Sequence, residues 1–141
     1  AIGMSMGGLM SWWLAALDER IKVTVDIAAQ VDIETLKQKR GLDHHGFYYY
    51  VPGFLKHFST IAVQEMIAPR PRLSMIGKDD RMCPFEGAQF LNEQLKSTYE
   101  EQCVPENWEG CILTGGHQET KEMRSLWITF LKNYLYILLR V

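Results

Sequence analysis

The chain has 141 residues, 47% of them hydrophobic and 23% charged, with a formal net charge of -2. That balance fits a soluble globular piece and leaves no basic footprint for nucleic acid. The three cysteines, Cys83, Cys103 and Cys111, have no metal-ligand spacing, and an odd number argues against a complete disulfide framework. Reduced thiols in a cytoplasmic protein are the plain expectation, with a Cys103–Cys111 disulfide as the alternative.

The chain opens on Gly3-Met4-Ser5-Met6-Gly7 followed by Gly8. This Gly-x-Ser-x-Gly pattern is that of a nucleophile elbow, a strained strand-to-helix turn that presents a serine hydroxyl above a parallel sheet. The leading strand is cut to Ala1 and Ile2. Side chains at Gly3, Gly7 or Gly8 are expected to collide with the neighbouring strand or helix where the backbone turns so sharply. A helix starting after Ser5 aims its free amides and positive dipole end at an oxyanion, with the Met6 amide as first donor. Residues 9–17, with Trp12 and Trp13, are apolar almost all round and predict a helix buried between sheet and neighbours. Ile21, Val23, Val25 and Ile27 alternate with Lys22, Thr24 and Asp26, which predicts a strand with one wet or helix-edge face.

The stretch 29–71 is far beyond a usual connection, so a pocket-shaping insertion is expected there. Short helices are predicted over 31–40 and 54–67. Between them the aromatic run 47–50 falls on a loop that ends at Pro52-Gly53. Stacked tyrosines suit sugar rings, although ordinary packing is the stronger expectation for such a cluster. His44 and His45 have no carboxylate or thiolate pair nearby at ligand spacing, so no metal site is expected. A second strand is predicted at 73–76, then a loop with Asp79 and Asp80, and a helix opened by Pro84. Ala88, Leu91, Leu95 and Tyr99 repeat at helical spacing. The last strand is predicted at 108–113, before a closing helix from about Glu119. Lys132 and Asn133 interrupt that helix too soon for a membrane span.

An elbow serine needs a base and an acid, in the chain order serine, acid, histidine. His44, His45 and His57 precede the best acid candidates, whereas His117 follows the last strand behind Gly115 and Gly116. A surface loop histidine is the competing reading. Asp80 is the acid candidate, on the loop beyond a strand's carboxyl end, where ligands gather in parallel sheets. Asp79 is then a solvated turn residue or cap, and Asp26 and Asp32 stay open as alternative acids.

The ordered set Ser5, Asp80 and His117 resembles the carboxyl-terminal half of an α/β-hydrolase, and the spacing from Gly77 through Asp80 to Pro84 is similar to that of many such enzymes. The segments Leu42-Asp43-His44-His45-Gly46-Phe47-Tyr48-Tyr49-Tyr50-Val51-Pro52-Gly53, Ile67-Ala68-Pro69-Arg70-Pro71 and Gly116-His117-Gln118-Glu119-Thr120 resemble the dienelactone hydrolase and acetyl xylan esterase group. The resemblance implies an α/β fold of parallel strands with crossover helices, missing its amino-terminal strands. Residues 1–141 would be a partial catalytic domain truncated at the elbow. It implies serine-dependent hydrolysis of a carboxylic ester through an acyl-enzyme, with a small-molecule or carbohydrate ester as partner and without cofactor, nucleic acid or membrane. A second oxyanion donor would lie on a loop outside this chain, so the chain by itself is expected to be nearly inactive. A prolyl oligopeptidase-like serine peptidase and a non-catalytic interaction domain that kept the fold are the alternatives.

Overall fold

The structure, a computed structural model, describes residues 1–39 and 41–138, without the side chains of 136–138. Its elements in chain order are β1 (Ile2–Met4), α1 (Met6–Leu17), β2 (Thr24–Ile27), α2 (Ile33–Gln38), α3 (Phe54–His57), α4 (Thr60–Glu65), β3 (Arg72–Gly77), α5 (Phe85–Glu101), β4 (Trp108–Leu113) and α6 (Lys121–Leu138). Short 3₁₀ turns fall at Gly41–His44, Phe47–Tyr49 and Pro105–Asn107. The four strands make one sheet in the order β1-β2-β3-β4, every neighbouring pair parallel. A parallel pair needs a crossover, which the helices between the strands supply.

Side chains alternate across a strand, so each face of this sheet has its own set. Val25, Ile27, Leu73 and Met75 pack with Met123 and Phe130 of α6. On the opposite face Ile76 joins Leu9 and Trp12 of α1 and Ala88 of α5 in the larger core cluster. Of the two readings of that face of β2, wet or helix-edge, the wet one is not found, because all four of its residues are buried. Asp26 is tolerated there because it accepts hydrogen bonds from Arg72 Nε at 2.8 Å and from Ser74 Oγ at 2.5 Å. The guanidinium of Arg72 also lies 5.4 Å from the centre of the Trp108 ring. Alternation in the sequence thus marks a buried ion pair rather than water.

Other expectations need correction. Residues 21–23 stay out of β2; they follow a turn at 19–20 that is tied to Arg70, whose Nη1 donates to the carbonyls of Asp18 at 3.1 Å and Ile21 at 3.0 Å. Helix α1 buries Leu9, Trp12, Ala15 and Ala16, but Met10, Leu14 and Leu17 face solvent. The helix expected over 54–67 is two helices. Phe58 is extended, and the Ser59 hydroxyl accepts from the Ala62 amide at 3.2 Å, capping a fresh start at α4. The helix expected over 31–40 shortens to α2, capped by Asp32, whose carboxylate accepts from the Thr35 amide at 2.9 Å; Arg40 lies outside the described residues. All three cysteines are free thiols, so Cys103 and Cys111 are not bridged. Among the described residues no helix is long and apolar enough to cross a membrane.

The turn between β1 and α1 is tight. Ser5 sits at φ 55° and ψ -121°, a conformation that side chains rarely adopt. Its amide donates to the Ile27 carbonyl at 2.8 Å, and its carbonyl accepts from the Leu9 amide at 2.9 Å, so the turn is tied to β2 on one side and α1 on the other. A Cβ on Gly3 would stand 2.2 Å from the Gly7 carbonyl oxygen, and one on Gly8 would stand 2.7 Å from the Ala29 Cβ. Gly7 departs from expectation, since a Cβ there meets nothing within 4 Å.

Two outcomes follow for stability. Gly3→Ala is expected to unfold or strongly destabilise the chain, whereas Gly7→Ala leaves the urea midpoint unchanged or raised, since alanine is favoured over glycine in a helix by up to about 1 kcal/mol. Arg72→Met strands the Asp26 carboxylate in the interior and should cost about 3–5 kcal/mol in the same measurement, while the double variant Asp26→Leu/Arg72→Met recovers most of that loss.

Candidate active site

Three loops leave the carboxyl ends of the strands and meet above the sheet. The first is the Ser5 turn. The second follows β3, where Gly77, Lys78 and Asp79 lead to Asp80. The third follows β4 and carries His117. The second and third are laced together: the Lys78 amide donates to the Leu113 carbonyl at 2.7 Å, and the Asp79 amide to the Gly115 carbonyl at 2.9 Å. Only glycine permits this approach, because a Cβ on Gly77 would lie 2.2 Å from the Gly115 oxygen.

The result is a continuous run of hydrogen bonds. Ser5 Oγ lies 2.8 Å from His117 Nε2, and His117 Nδ1 lies 2.8 Å from Asp80 Oδ2. A carboxylate only accepts, so Nδ1 carries the ring proton and Nε2 is left to accept from the serine hydroxyl. Asp80 is 3% exposed. Its second oxygen, Oδ1, accepts from the amides of Met82 at 2.9 Å and Cys83 at 3.3 Å. These bonds turn one oxygen inward and leave the other aimed at the imidazole. The buried Cys83 thiol sits beside this carboxylate, and burial together with the Asp80 charge pushes its pKa far up, so it stays a thiol.

Met6 is the first residue of α1, and the opening amides of a helix have no carbonyl within their own helix to donate to. Its thioether points to solvent, with the residue 54% exposed.

The remaining candidates go elsewhere. Asp79 is exposed, Asp26 is paired with Arg72, and Asp32 caps α2. His44 and His57 are exposed. His45 is half-buried, with Nε2 3.0 Å from the Met82 carbonyl and its ring 4.3 Å from that of Tyr49. Burial lowers its pKa below the ordinary 6.5, and the nearby His117 and His44 push the same way. The aromatic run divides: Tyr49 is buried in the core and Phe47 is 94% exposed. Among the described residues one group has metal-ligand proximity, Asp80, Cys83 and His117, whose ligand atoms lie within 4.8 Å of one another. Its Asp80 oxygens and His117 nitrogens are already hydrogen-bonded, so an ion there would have to break the Ser5–His117–Asp80 run. The approach of His45 to the acid loop is not visible in the sequence, where the two lie 37 positions apart.

No family model matches the chain. Among curated proteins, Putative hydrolase YtaP of Bacillus subtilis (strain 168) is 48% identical over 134 residues, covering 95% of this chain and 45% of that protein. The chain therefore spans about half the length of that relative. Among solved structures, a carbohydrate esterase family 15 glucuronoyl esterase from Caldicellulosiruptor kristjansonii superposes with a TM-score of 0.75 at 18% identity, over 92% of this chain and 41% of that one. The glucuronoyl esterase from Solibacter usitatus gives 0.72 at 15% identity, over 93% and 41%. The Pyrococcus furiosus esterase Pf2001 gives 0.61 at 23% identity, over 94% and 51%. With four parallel strands, helices on both faces and these neighbours, the chain has the α/β-hydrolase fold.

Proposed function

We propose that Ser5, His117 and Asp80 are a catalytic triad that hydrolyses carboxylic esters through an acyl-enzyme. The observation that carries this reading is the unbroken pair of 2.8 Å contacts from Ser5 through His117 to Asp80. His117 Nε2 takes the serine proton as Oγ attacks the ester carbonyl, and Asp80 holds the resulting imidazolium. The tetrahedral oxyanion forms beside the start of α1, where the Met6 amide and the positive helix end stabilise it. Collapse of this intermediate breaks the bond to the alcohol, which leaves with the proton from His117. Water then attacks the acyl-serine, His117 again taking and returning a proton, and the acid is released with Ser5 restored.

Within the ester class, an ester borne on a carbohydrate is the substrate this reading favours. Two of the structural neighbours are glucuronoyl esterases, and the exposed Phe47 and Tyr50 on the 28–71 connection offer aromatic faces of the kind that stack on sugars. Sugar deacetylation, as in the acetyl xylan esterase group, is the narrower form of the same proposal, with residues 29–71 shaping the pocket.

A fluorophosphonate probe tests the reading, because it captures an activated serine whatever the natural alcohol. The folded protein is expected to be labelled at Ser5 and to lose labelling completely as Ser5→Ala. In the full-length protein, where the second oxyanion donor is expected, Asp80→Asn leaves the imidazole in the wrong tautomer and should lower p-nitrophenyl acetate turnover by roughly 10⁴-fold. A folded full-length protein that is never labelled would overturn the proposal.

A further inference from the structure

Asp80 is presented by a turn whose backbone is tied to the 113–115 loop through the Lys78 and Asp79 amides but whose side chains contribute little. Lys78, Asp79 and Arg81 are all exposed. The carboxylate is fixed by two backbone amides, those of Met82 and Cys83, both donating to Oδ1, together with a hydrogen bond from the Cys83 thiol. The orientation of Oδ2 toward His117 is therefore only as good as the placement of the 82–83 backbone. That backbone is held from the inner side by a distant part of the chain. His45 Nε2 lies 3.0 Å from the carbonyl of Met82, and since a carbonyl only accepts, Nε2 carries the proton and donates. The His45 ring rests on Tyr49, which is buried in the same core cluster as Cys83. The 41–50 segment is itself closed by the His45 amide donating to the Leu42 carbonyl at 3.0 Å, with the Tyr50 hydroxyl donating to that carbonyl at 3.1 Å.

We propose that His45 is a positioning residue for Asp80, clamping the turn through the Met82 carbonyl while Tyr49 backs the His45 ring and packs with Cys83. This rests on the triad reading above. Residue Met82 then faces two ways, its carbonyl taken by His45 and its amide given to Asp80. The clamp acts without a charge of its own, because burial favours the neutral imidazole. The titratable groups that surround it are His44, Tyr49, Cys83, Asp80 and His117.

The test uses His45→Phe, which keeps the ring on Tyr49 and removes the donor, and His45→Gln, whose amide nitrogen restores a donor near the Nε2 position. Neither residue titrates, so the pair separates the hydrogen bond from any change of charge. The first readout is the far-downfield proton resonance of His117 Nδ1–H, which reports the bond to Asp80 without turnover. It is expected in the wild type and in His45→Gln and lost in His45→Phe. The second is kinetic. His45→Phe should lower kcat about tenfold with KM held within about twofold, and the acidic limb of the pH profile should move to lower pH as a misplaced Asp80 stabilises the imidazolium less. His45→Gln should restore both. If the phenylalanine variant does not fold, His45→Asn, too short to reach the carbonyl, is expected to lose the resonance in its place. Retention of the resonance and of the wild-type acidic limb in a folded donor-less variant would overturn the clamp. A wild type that shows the resonance but resists the fluorophosphonate would instead sink the hydrolase reading, leaving the clamp to be judged on the resonance alone.

Discussion

The structure depends on a single lateral tie repeated along one rim of the sheet. At the carboxyl ends of β1, β2 and β3 the chain bends away, and the amide at the bend donates to the neighbouring strand. Ser5 donates to Ile27 at 2.8 Å, Ala28 to Met75 at 2.7 Å and Lys78 to Leu113 at 2.7 Å. Two of the donors, Ser5 and Ala28, hold positive φ values of 55° and 51°. Such backbone conformations persist only where the surroundings over-determine them. The ties supply that constraint, and they set the departure points of the loops from which Ser5, Asp80 and His117 reach one another.

Beneath the rim the two faces of the sheet are built on different physics. The α6 side is an apolar layer in which Val25, Ile27, Leu73 and Met75 meet Met123 and Phe130. The opposite side includes a polar seam, with Asp26, Arg72 and Ser74 fully buried and joined to one another. A buried ion pair adds little net stability over apolar packing, because desolvation offsets most of the attraction. Its members are nonetheless hard to remove singly. The seam crosses from β2 to β3, the central pair of strands, and ties them by side chains as well as by backbone.

Much of the candidate site was legible in the sequence because its chemistry is local. Gly3 and Ser5 lie within one turn, Asp80 stands at a fixed spacing between Gly77 and Pro84, and His117 follows the glycines that let its loop fold back. Strand β4 and the start of α5 were legible for the same reason. The remainder was not. An alternating pattern cannot distinguish solvent from a buried partner, so the face carrying Asp26 could be read as wet or helix-edge, and the pattern could not reveal Arg72 beside it. The apolar run of α1 does not reveal that Met10, Leu14 and Leu17 lack cover in the fold. A cap such as Ser59 is visible as a residue type, but whether it divides a helix depends on the extended backbone at Phe58. The partners of His45 and Tyr49 are set by tertiary contact alone, and no spacing within the 41–53 segment points to Met82.

Ser5 and His117 are joined across 112 positions of sequence, and His117 and Asp80 across 37. Contacts between distant segments gain nothing until the loops that separate them have closed. The hydroxyl, the ring and the carboxyl group therefore come into register only after β1 and β4 have both joined the sheet. A half-collapsed chain with α1 and α5 already wound would hold all three groups yet have no path for a proton between them, so the relay arises with completed tertiary structure rather than by degrees.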